Sequence, residues 1–115
     1  MKLYGIKNCN SVKKGCEFLQ NLGLKYDFCD IKKLDEATLK LWLEQKALNE
    51  LINSSGISAK KLGLNKEKIA NLMQDSKGVT ELERLILQSP SLIKRPVIES
   101  KGKVYVGLEY EKIKA

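Results

Sequence analysis

A chain of 115 residues with 43% hydrophobic and 30% charged residues has the size and balance of one folded domain with a real core. No apolar run approaches the ~20 residues that span a bilayer. Met1-Lys2 leads into too few apolar residues for a signal peptide, so a cytoplasmic protein is expected. The net charge is +7, yet only Arg84 and Arg95 of the 21 basic residues are arginines. Base reading and phosphate clamping favour arginine forks, so direct DNA binding is not expected, while an anionic small molecule or an acidic protein patch stays open as partner.

In chain order, Leu3–Ile6 reads as a first strand and Ser11–Leu22 as an amphipathic helix, with Val12, Cys16, Leu19 and Leu22 on one face. Gly23 is its natural left-handed cap. Tyr26–Cys29 follows as a second strand, parallel to the first because of the helical crossover. From Asp35 the period becomes helical. Asp35 caps a helix carrying Leu39, Trp42 and Leu43, and Leu48–Ile52 continues as a short helical piece. Ser58 is placed to cap a brief turn through Leu62, and Asn65 to start a helix with Ile69, Leu72 and Met73. Thr80-Glu81-Leu82-Glu83 reads as a capping box opening a helix that ends before Pro90. Val97–Glu99 and Lys103–Val106 flank Ser100-Lys101-Gly102 as an antiparallel hairpin, and Glu109–Lys114 forms a short last helix. The order β-α-β, helical block, β-β-α is satisfied by an α/β fold with a four-stranded mixed sheet and helices on both faces.

The chemistry centres on Cys9. It sits at the strand-to-helix junction, where unpaired backbone N–H groups and the helix dipole favour the thiolate, the reactive form. Lys7, Lys13 and Lys14 add positive charge. The competing reading is a cysteine packed as a small hydrophobe. The other cysteines, Cys16 and Cys29, are irregularly spaced and the chain has no histidine. That argues against a disulfide scaffold and a zinc site, and removes every Cys-His or Ser-His mechanism. The residue three after Cys9 is Val12, so no Cys-x-x-Cys pair exists. Cys16 would lie about 10.5 Å away along a regular helix, beyond the ~7 Å that a disulfide tolerates. Cys29, on a strand, reads as core packing. Ser11 either hydrogen-bonds the thiolate or caps the helix, and capping needs nothing else.

Tyr4-Gly5-Ile6-Lys7-Asn8-Cys9 and Ser91-Leu92-Ile93-Lys94-Arg95-Pro96-Val97-Ile98, with a weaker match at Leu51-Ile52-Asn53-Ser54-Ser55-Gly56, resemble the ArsC-like (arsenate reductase) family, specifically its YffB branch. The resemblance spans the chain. It implies a thioredoxin-like fold in a single domain, residues 1–115, with halves at about 1–34 and 89–115 and a helical insertion at about 35–88. It implies that Cys9 is the nucleophilic thiol and that Pro96 is cis and packs beside it. Arg95 would point into the same pocket as a second catalytic group, with Asn10, Ser11, Lys60 and Pro96 binding substrate. Arsenate reductases are similar to one another in three arginines around the thiol. Here those positions read as Arg95, Lys60 (or Lys61) and Leu108, which weakens an oxyanion clamp. A monothiol reductase acting with glutathione or another small thiol as co-substrate, and with no tightly bound cofactor or metal, is therefore expected, as a monomer. Two alternatives remain. One is an arsenate reductase with a degenerate clamp. The other is an RNA polymerase-binding regulator like the related Spx/MgsR proteins, although Val12 removes the redox switch many of those carry.

Overall fold

The computed structural model describes all 115 residues, and they group into two compact units: 1–31 with 94–115, and 32–93. The first unit holds strands β1 (Lys2–Gly5), β2 (Asp27–Asp30), β3 (Val97–Ser100) and β4 (Lys103–Val106), in the sheet order β2-β1-β3-β4. β1 runs parallel to β2 and antiparallel to β3, and β3 antiparallel to β4. The mixed four-stranded sheet is thus as the sequence reading expected, with the first two strands displaced by one residue. The register puts Leu3, Ile98 and Tyr105 side by side on one face. Helix α1 (Asn10–Asn21) packs there through Val12 and Leu19, joined by Tyr110 and Ile113 from the C-terminal 3₁₀ segment Gly107–Lys112 and the residue after it. Burying each such aliphatic side chain is worth about 1.5–3 kcal/mol.

Local chemistry closes these elements. α1 ends in a paired cap: Gly23 N–H donates to the Gln20 carbonyl at 2.9 Å and Leu24 N–H to Leu19 at 3.0 Å, with Gly23 at φ +73°. The β3–β4 turn is the two-residue loop Lys101-Gly102, both at positive φ (51° and 78°), the backbone that matches strand twist. The final helix expected at Glu109–Lys114 is instead the 3₁₀ segment from Gly107. Glu109 accepts from the Val106 amide at 2.8 Å and pulls the turn forward to the strand end.

The second unit is helical: α2 (Glu36–Leu43), α3 (Leu48–Leu51), α4 (Ile57–Lys61), α5 (Lys66–Leu72) and α6 (Ser76–Gln88). Asp35 and Asn65 cap α2 and α5 as read from the sequence, accepting from the amides of Thr38 and Lys68 at 2.8 Å. Two starts differ. α6 begins at Ser76, not Thr80, because Asp75 accepts from Gly78 N–H at 2.7 Å; Thr80 lies one turn inside and donates its hydroxyl to the Ser76 carbonyl. Gly78 is not a breaker here. A Cβ on it would lie 1.9 Å from the Leu72 carbonyl oxygen, so glycine is what lets α6 meet the end of α5. Ser58 is not a cap either: Gly56 takes that position in α4, and the Ser58 hydroxyl hydrogen-bonds that of Ser91 at 2.6 Å. No helix is long and apolar enough to cross a membrane.

Candidate functional site

The expected site residues of the first unit converge on the end of β1. After Gly5 the chain turns and Cys9 becomes the N-cap of α1, with extended backbone (φ −118°, ψ 123°) and its carbonyl accepting from Lys13 N–H at 3.0 Å. An N-cap side chain stands beside the amides of the first turn, which have no partner within the helix. No side-chain capping bond is made by Cys9, so those amides stay open to an anion beside the thiol. Cys9 is half-buried, packed by its inner side on the α1–sheet core. Asn10 and Ser11 are the first two residues of α1, both exposed, as are Lys7, Lys13 and Lys14. Ser11 is therefore not the cap. The helix starts one residue earlier than its apolar pattern indicates, and the cap position falls to the cysteine.

Glycines let α1 approach this closely. A Cβ on Gly5 would lie 2.6 Å from a Val12 methyl, and one on Gly15 would lie 2.8 Å from Cγ of Pro96. Pro96 is buried, leads into β3, and follows a cis peptide bond from Arg95, as the family resemblance implied. Its carbonyl accepts from Gly107 N–H at 2.9 Å. Arg95 is half-buried at the same strand entry. Lys60 belongs to the second unit, exposed on the last turn of α4, and Leu108 is 69% exposed. The first unit by itself thus holds Cys9, Asn10 and Ser11 at the start of α1, and Arg95 and Pro96 at the entry to β3, the strand that pairs with β1.

The remaining thiols are engaged elsewhere. All three cysteines are free. Val12, three residues past Cys9, is buried against Gly5, so the place a pairing thiol would take in a Cys-x-x-Cys motif belongs to the core. Cys16, on the next turns of α1, lies beside the Tyr26 phenol, and its presence together with burial holds that phenol above the usual tyrosine range, while the Gln20 amide, donating to the phenol oxygen at 3.2 Å, opposes the shift. Cys29 is half-buried rather than enclosed by helices, because β2 is an edge strand with a neighbour on one side only. Burial pushes its thiol above the ordinary range, Asp27 and Glu99 add to the rise, and Lys2 offsets part of it. No three Cys, Asp or Glu side chains cluster as metal ligands would.

Known proteins share this frame. An arsenate reductase (ArsC) related protein from Brucella melitensis superposes with a TM-score of 0.72 at 35% identity, over 93% of this chain and 85% of that one. The YffB protein does so at 0.77 and 31%, over 96% and 93%. An uncharacterized protein of Haemophilus influenzae is 27% identical over 115 residues, 98% of this chain and 95% of its own length. The ArsC family model matches residues 4–115, and the chain belongs to the ArsC family.

Proposed function

We propose that the protein is a thiol-dependent reductase that uses Cys9 as its single nucleophile and glutathione as the resolving thiol. The observation that carries this reading is one cysteine, and only one, at the N-cap of the helix whose Gly15 packs against Pro96. The Cys9 thiolate attacks the glutathione sulfur of an oxidised substrate, R–S–S–G, forming Cys9–S–S–G and releasing the R–S thiolate. A glutathione thiolate then attacks the glutathione sulfur of the adduct, returning the Cys9 thiolate and leaving glutathione disulfide. With Val12 in the core, no internal thiol competes for the second step. Arg95 and the α1 amides supply positive charge for the glutathione carboxylates. Arsenate as substrate is less well supported, since an exposed leucine stands at position 108 where that reading needs a third arginine.

Brief treatment with oxidised glutathione followed by mass spectrometry tests the reading. The glutathionyl group is expected on Cys9, persisting until a second thiol is added, with Arg95→Ala slowing its formation more than Lys66→Ala. Labelling of Cys16 or Cys29 in preference to Cys9, or none at all, would remove the monothiol mechanism. A polymerase-binding regulator without thiol chemistry would then be the better account.

A further inference from the structure

β1 runs toward Cys9 and α1 runs back from it, so the residues before β1 and after α1 lie at the far end of the first unit, some 18 Å along a 12-residue helix. There a groove of about 280 Å³ is lined by Met1, Leu24, Ser100, Tyr105 and Ile113 together with four lysines, Lys101, Lys103, Lys112 and Lys114. Four separate segments contribute: the chain start, the α1 exit, the β3–β4 hairpin and the C-terminal strip. No aspartate or glutamate lines the groove. The register explains part of this. Glu99, beside Ser100 on β3, points to the opposite face of the sheet, so the hairpin presents its lysines here without its carboxylate.

We propose that this groove is a second binding site, for a compact organic monophosphate. Four ammonium groups with no carboxylate among them match a dianionic head, and lysine serves phosphate as a point charge with three donors. The buried Ser100 and half-buried Tyr105 bring hydroxyls to the same walls. Leu24, Ile113 and the tyrosine ring give an apolar floor that a bare inorganic anion would leave uncovered. The volume sits at the small end of ligand pockets, which fits one nucleoside-sized body and not a polymer strand. The site is independent of Cys9 and of the chemistry assigned to it.

Titrating the protein with adenosine 5′-monophosphate, inorganic phosphate and adenosine, followed by amide chemical shifts, tests this. The monophosphate is expected to move Leu24, Ser100–Tyr105 and Lys112–Lys114, with inorganic phosphate binding more weakly and adenosine not measurably. Lys103→Gln with Lys112→Gln, both exposed positions, should weaken binding about fivefold or more, while Lys66→Gln with Lys68→Gln should not. Raising salt from roughly 50 to 300 mM should weaken it further. Shifts spread over lysines throughout the chain, equal losses from both double variants, or phosphate binding as tightly as the nucleotide would each overturn the proposal.

Discussion

Gly15→Ala decides whether α1 is held against Pro96 as tightly as the geometry requires. Two effects of opposite sign compete at this position. Alanine favours a helix interior over glycine by about 1 kcal/mol, so propensity alone makes the variant more stable. The added methyl, however, would lie 2.8 Å from Cγ of Pro96, about 0.6 Å short of ordinary contact. A proline ring cannot swing aside as a lysine tip can, and Pro96 is itself buried. Either α1 or the entry to β3 must shift, and overpacking of this kind costs about 1–3 kcal/mol. The expected net is a destabilisation of about 1 kcal/mol, or a melting point lower by about 4 °C for a chain of this size. Urea unfolding of the two proteins, compared at equal m-value, measures it. Because Cys9 opens the same helix, the variant should also form the glutathione adduct more slowly. A Gly15→Ala protein more stable than the parent by about 1 kcal/mol would show that propensity acts unopposed and that the close approach of α1 to Pro96 is not there.

Gly78→Ala should be the more damaging glycine substitution, about 3 kcal/mol in the same unfolding assay, because its methyl would meet the Leu72 backbone oxygen at 1.9 Å rather than a side chain. A neutral result would mean that α6 does not meet the end of α5 as described. Cys29 should alkylate with a pH midpoint above that of an ordinary exposed thiol. Asp27→Asn should lower that midpoint and Lys2→Gln raise it, following the signs of their charges. A thiol raised by folding favours the folded state below its unfolded pKa, and that contribution is lost as pH rises through the folded value. Identical Cys29 titration in native and urea-unfolded protein would contradict it.

Much of this protein is written in short stretches of its sequence. The caps at Asp35 and Asn65, the Gly23 helix end, the β3–β4 hairpin (though with Ser100 read into its loop and not into β3) and the position of Cys9 at the head of the first helix were all legible there. Each depends on residues within about four positions of one another, and backbone hydrogen bonds and left-handed turns act at that range. What escaped such reading depends on neighbours distant along the chain. Thr80 carries a good capping signature, yet the helix starts after Asp75, which accepts from Gly78 N–H, and only glycine at 78 leaves room for the Leu72 carbonyl packed against it. Ser58 has the residue type of a cap, but its hydroxyl goes to Ser91, 33 positions on. Cys29 looked like core until the sheet order left β2 at an edge. The basic groove draws Leu24, Lys101 and Lys112 from three separate segments of the chain, and no window of sequence contains them together. Local preference decides which elements form and where the thiol stands. Only burial and packing decide which glycines must stay bare, which thiols are spare, and where the lysines gather.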